Sequence, residues 1–218
     1  MSLFASLLRD FRRTASDLPG LFSGHFCVMF LPLDPLLGDE ATLPGYYSDQ
    51  TYFCRLRETY TDPLAPYRCK KQLKAGRCII LELDGLGSFV FTNHYHSALF
   101  QNLQRKFPGV TSYVFCSDGP GGYFKILKDG RIQRKVASYM YFEGMGSYAE
   151  TRGAPCAYEL ETGHIFKVDP KARHLREMMP DFTKREVLDL FDYYVGLDRF
   201  QSEALRRTLV YDLESPNT

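Results

Sequence analysis

The chain has 218 residues, 44% of them hydrophobic and 24% charged, the balance of an ordinary globular protein, which excludes the disordered, collagen-like and membrane classes. Lys and Arg number 27 against 26 Asp and Glu, a formal net charge of +1. No long-range field of one sign therefore advertises a nucleic-acid or membrane partner, and any such site must be local.

A single domain over residues 1–218 fits this length and needs neither disulfide nor metal to build a core. At the start, Phe4, Leu7, Leu8 and Phe11 recur at helical spacing between Arg9, Asp10, Arg12 and Arg13. This predicts an amphipathic helix docked on its own core; it lacks the apolar run and cleavage site of a signal peptide. No stretch approaches 18 apolar residues, so no transmembrane segment is expected. A short strand at about 25–31 precedes a loop-rich region, 32–76, broken by prolines and holding one strand near Gln50–Tyr60.

From residue 77 the pattern sharpens. Arg77–Leu83 and Ser88–Thr92 flank Asp84-Gly-Leu-Gly87 and read as a hairpin. Ser97–Phe107 carries Leu99, Phe100, Leu103 and Phe107 on one stripe before Pro108-Gly109, which predicts an amphipathic helix laid on a sheet. Val110–Cys116 is a strand, and Tyr123–Lys128 and Arg131–Tyr139 are joined by Asp129-Gly130. That dipeptide suits a type I′ hairpin, whose two central residues both need positive φ. Tyr158–Val168 holds one more short strand. Pro170–Met179 and Thr183–Val195 show helical spacing, the latter with Thr183 and Glu186 as a capping box, a stripe of Val187, Leu190, Phe191 and Tyr194, and Gly196 as its stop. A last helix is expected over about Arg199–Leu209, giving a helical tail over about 170–210. The fold class is α+β: a central, mainly antiparallel sheet with a mid-chain helix and helices at the N- and C-termini.

The cysteines are Cys27, Cys54, Cys69, Cys78, Cys116 and Cys156, spaced too widely for any CxxC knuckle. Several lie in apolar strand-like runs, where a free thiol acts as a small hydrophobe, so reduced and mostly buried cysteines in a cytoplasmic protein are expected.

Few residues nominate chemistry. His94 and His96 would share a face if a strand runs through them, but two imidazoles do not make a metal site; Asp118 and His164 are the nearest candidates for a third ligand. Two solvated histidines at a strand-to-helix corner are the stronger reading. Cys116 could pair with His94 or His96 as a nucleophile, although burial in an apolar strand raises a thiol pKa. The Gly-rich segments 84–87 and 118–122 lie between strands and so are turns, since a phosphate loop must feed a helix. No cofactor is implied.

Two local basic regions are better founded. Arg55, Arg57, Arg68, Lys70, Lys71, Lys74 and Arg77 are interleaved with Tyr52, Phe53, Tyr60 and Tyr67, the composition of a single-stranded nucleic-acid surface. In the Asp129-Gly130 hairpin, a two-residue turn sets Lys128 opposite Arg131 and Lys125 opposite Arg134. Like charges across a ladder repel unless solvent, neighbouring carboxylates or an acidic partner offsets them.

Residues 97–159 hold a helix, a strand, Tyr123-Phe-Lys-Ile-Leu, the turn Lys128-Asp-Gly-Arg131, a basic strand and Gly153-Ala-Pro-Cys-Ala-Tyr-Glu159. This succession resembles uncharacterised bacterial proteins, some of which accompany polymorphic toxin systems as immunity-like proteins. The resemblance implies a cytoplasmic binding or neutralising protein without catalytic residues. The expected function is accordingly a non-catalytic protein-binding module with another protein as partner. Its contact surface would include Lys125, Lys128, Arg131, Arg134 and the aromatics Tyr139, Tyr141, Phe142 and Tyr148, which could equally serve as core or as a homodimer face. The alternatives are a nucleic-acid binder using the basic segment and a metal- or cysteine-dependent hydrolase around His94, His96 and Cys116.

Overall fold

The computed structural model describes residues 25–34, 37–44, 51–62, 77–92, 97–118, 121–142, 146–168, 182, 184–197 and 205–214. Ten strands form one sheet: β1 (His25–Leu31), β2 (Glu40–Pro44), β3 (Thr51–Tyr60), β4 (Arg77–Leu83), β5 (Gly87–Thr92), β6 (Thr111–Asp118), β7 (Gly121–Lys128), β8 (Arg131–Phe142), β9 (Gly146–Arg152) and β10 (Leu205–Glu214). Their order is β2-β3-β10-β4-β5-β1-β6-β7-β8-β9, and every pairing is antiparallel. Among the described residues three helices accompany them: α1 (Ser97–Arg105), α2 (Ala157–Thr162) and α3 (Lys184–Val195). The molecule is thus a large antiparallel sheet with few helices, an α+β-like arrangement.

Local chemistry accounts for the central strands. Every residue of β4 and β5 is buried, so the sheet is covered on both sides there, and the apolar residues Cys78–Leu81 and Phe89–Phe91 run consecutively rather than alternating with polar ones. One face packs Phe30, Phe89, Phe115, Phe124 and Val210 against Val187, Leu190 and Phe191 of α3. The other packs Cys27, Ile80, Val114 and Leu127 against Leu99, Phe100 and Leu103 of α1. That helix touches both β2, at one end of the sheet, and β7, far along it. The sheet therefore curls around α1, making this second face concave.

The hairpin at Asp129-Gly130 has the expected turn, with φ of 52° and 68° at its two central residues, and Lys128 pairs with Arg131. The next expected pair does not form. Leu127 pairs with Ile132 but Ile126 pairs with Arg134, leaving Gln133 as a β-bulge, so Lys125 faces Lys135. One extra residue reverses the side on which all later residues of β8 point.

Four further expectations are corrected. The loop-rich region holds a second strand, β2, paired with β3. The strand expected to end at Tyr139 runs on to Phe142 as β8, and β9, which was not expected, pairs with it. Residues 157–162 form α2 instead of a strand, closed by Gly163 at φ 71°. The expected final helix is replaced from Leu205 by β10, inserted between β3 and β4. Thr208, Leu209, Val210 and Tyr211 are all buried, and a β-branched and aromatic run covered on both sides suits a central strand. The expected N-terminal helix and the helix at 170–179 lie outside the described residues.

Candidate functional site

The clearest surface feature is the end of the molecule where the β7–β8 turn meets the C-terminus of α1. Antiparallel pairing of Thr111 with Lys128 puts the start of β6, and hence the end of α1, beside this turn. Buried Gln104 ties the two together: its side-chain amide donates to the Val110 carbonyl at 2.6 Å, and its side-chain oxygen accepts from the Gly130 N–H. Asp129 accepts from the Gly109 N–H at 2.8 Å. Gly130 lies so close to the Arg105 side chain that a Cβ there would collide with it, and Arg105 donates to Asn102 at 2.9 Å.

The outcome is a fixed tip on which Arg105, Lys106, Lys128 and Arg131 are all exposed. None of the four forms an ion pair with a described carboxylate. Phe107, which follows Lys106, packs against the concave core. Lys128 and Arg131 were legible in the hairpin. Arg105 and Lys106 were not, because only the β6–β7 pairing reveals that a helix terminus shares the tip.

The other two basic residues of the hairpin are not on this surface. Arg134 is buried and binds Glu159 of α2 through two hydrogen bonds, of 2.8 and 2.5 Å. It also donates to the carbonyls of Gly153 at 2.8 Å and Phe166 at 3.2 Å. Glu159 in turn accepts from the N–H groups of Cys156 at 2.9 Å and Phe166 at 3.0 Å. Burial would raise the Glu159 pKa, but the Arg134 and Cys156 hydrogen bonds outweigh it and hold the carboxyl below its usual range.

Lys125 is buried on the concave side with its ammonium 4.3 Å from the centre of the Tyr123 ring. Burial, aided by the nearby Lys135 charge and opposed by Glu150, lowers its pKa to about 7. The side chains of Tyr139, Tyr141, Phe142 and Tyr148 lie outside the described residues.

The basic aromatic segment is only partly described. Arg55 pairs with Glu40 at 3.4 Å, and Arg57 with Glu58 at 3.3 Å and Asp212 at 3.0 Å. Arg77 is buried and also bonds Asp212, at 3.1 Å. Three of its seven cations are thus already matched by carboxylates. Arg68, Lys70, Lys71 and Lys74 lie outside the described residues.

Residues His94 and His96 do as well, and among the described residues no group of three or more His, Cys, Asp or Glu could hold a metal ion. His164 sits beside Glu186 at 3.6 Å and edge-on to Phe166.

The cysteine expectation needs correction in one respect. Cys27 and Cys116 are directly opposite on β1 and β6 and are joined as a disulfide. In this state Cys116 carries no thiol to serve as a nucleophile. Cys54, Cys78 and Cys156 are free and buried; burial pushes Cys54 up to about 11 and raises the other two as well, which leaves them inert as thiols. Cys69 is outside the described residues.

Among the described residues no helix is long and apolar enough to cross a membrane. No protein-family model matches the chain, and neither a curated protein nor a solved structure is significantly similar to it.

Proposed function

We propose that this is a non-catalytic protein-binding module that docks an acidic protein surface on the cationic tip of the β7–β8 hairpin. The observation that carries the reading is the convergence of Arg105, Lys106, Lys128 and Arg131 on one braced, exposed end. A rigid scaffold removes part of the ordering cost of association, and a compact patch of one sign steers an oppositely charged partner and rejects like-charged ones. A protein surface suits the tip better than single-stranded nucleic acid, which calls for exposed stacking rings along an extended groove. The resemblance over residues 97–159 favours a bacterial, cytoplasmic, immunity-like role in which the partner is neutralised by occlusion.

The test is affinity capture from the source cell's lysate after nuclease treatment. It compares the native chain with the double variant Lys128→Glu, Arg131→Glu at low and moderate salt. A protein held near stoichiometry by the native chain and lost by the variant supports the reading. Equal recovery by both, or recovery of nucleic acid alone when nuclease is omitted, contradicts it.

A further inference from the structure

The disulfide between Cys27 and Cys116 occupies a particular place in the topology. Residues of β6 to β9 form a continuous four-stranded meander, and β1 with the five strands beyond it forms the rest of the sheet. Among the described strands, the β1–β6 ladder is the one pairing that joins the two parts. The bond spans that seam and closes a sequence separation of 89 residues.

We propose that Cys27 and Cys116 form a reversible dithiol–disulfide couple that locks the β1–β6 seam, with a cellular dithiol as its reductant. The register does not depend on the bond, because pairings from His25 with Asp118 to Phe30 with Tyr113 fix both strands on either side of it. The Cα atoms are 4.0 Å apart, nearer the narrow, non-hydrogen-bonded kind of cross-strand site than the wide one. Reduced thiols would therefore stay opposite each other in the same register.

Tyr123 assigns the direction of exchange. Its hydroxyl is 3.7 Å from the Cys27 sulfur, and since a disulfide sulfur bears no proton, the hydroxyl is the donor. An incoming thiolate attacks the Cys116 sulfur, forming a mixed disulfide and releasing Cys27 as a thiolate that the Tyr123 hydroxyl stabilises. The reagent's second thiolate then attacks its own sulfur in the mixed disulfide and expels Cys116. Two electrons and two protons pass to the protein, and the dithiol leaves as a disulfide. Both cysteines are buried, so attack waits on local opening of the seam, which the bond itself restrains.

The experiment uses the full chain, equilibrated with oxidised or reduced dithiothreitol. Thiols are counted by alkylation and mass, and amide exchange is followed strand by strand. The oxidised protein is expected to show two fewer alkylatable cysteines and a cross-linked peptide pair containing Cys27 and Cys116. Reduction should speed amide exchange in β1 and β6 by about tenfold or more while leaving the β7–β8 hairpin unchanged. The double variant Cys27→Ala, Cys116→Ala should exchange at the faster rate under both conditions, and Tyr123→Phe should slow reduction several-fold. All six cysteines remaining alkylatable after the oxidised treatment would overturn the proposal, as would β1 and β6 protection that ignores reduction.

Discussion

The guanidinium of Arg134 and the carboxylate of Glu159 meet in a buried, two-point hydrogen-bonded pair, linking the middle of β8 to the N-terminal turn of α2. Glu159 also reaches back to the Cys156 N–H, one half of a capping box. Arg134 collects the carbonyls of Gly153 and Phe166 that flank the helix. The pair therefore fixes the path of residues 152–166 against the sheet.

Removing one member strands the other charge in the core. Arg134→Met or Glu159→Gln should each cost about 3–5 kcal/mol in urea unfolding, whereas the double replacement Arg134→Met, Glu159→Met should recover a large part of that loss. Single variants as stable as the native chain would contradict the geometry. Because the Glu159 pKa is depressed, its contribution is present above the ordinary carboxyl pKa and is lost as pH falls through the lower, folded-state value.

Lys125 gives the opposite kind of pH dependence. Its pKa is lowered to about 7 in the folded state, chiefly by burial, so between that value and its unfolded pKa the unfolded chain holds the extra proton and stability rises with pH. Stability should increase by about 2 kcal/mol between pH 7 and 9. Lys125→Met should remove the rise and leave the protein more stable at pH 7. A native chain with a flat profile over this interval would show that the amine is solvated.

Gly153 sits at φ 85°, and a Cβ there would run into the Gln133 carbonyl at the β8 bulge. Gly153→Ala should therefore destabilise by about 2 kcal/mol or more, through both strain and displacement of the bulge. Thermal unfolding at the native midpoint would refute the close approach.

Much of the architecture was legible where local chemistry and tertiary context agree. Asp129-Gly130 announced its turn through positive φ, and β4 and β5 through unbroken apolar runs between turn residues. The helix at 184–195 followed from its stripe and the Gly196 stop. The failures have physical causes. The Gln133 bulge has no residue signature of its own, yet it turns Arg134 to the face opposite Lys125, so the two cations do not meet across the ladder, and both are buried, away from the expected docking surface. Leu205–Glu214 carries enough leucine and arginine to suit a helix until β3 and β4 supply a slot with both edges open. Cys54, Cys78 and Cys156 read correctly as buried apolar fillers, but only the β1–β6 register puts Cys27 against Cys116. Half of the cationic tip was readable from the hairpin, and the other half came from a helix end that is distant in sequence.

Bracing of that tip is separately testable. Gln104→Ala leaves the Gly130 N–H without its side-chain acceptor and should cost about 1–3 kcal/mol. It should also accelerate amide exchange at Gly130 without altering the strands beyond it. Unchanged exchange at Gly130 would mean that the turn holds itself.

The most direct test of the binding account is a calorimetric titration of the captured partner against the native chain and against Lys128→Glu, Arg131→Glu, at low and moderate salt. The variant should bind at least about tenfold more weakly at low salt, the gap should narrow as salt rises, and the variant's unfolding midpoint should be unchanged. Equal affinities for the two proteins at low salt would contradict the binding account and place the docking surface elsewhere on the molecule.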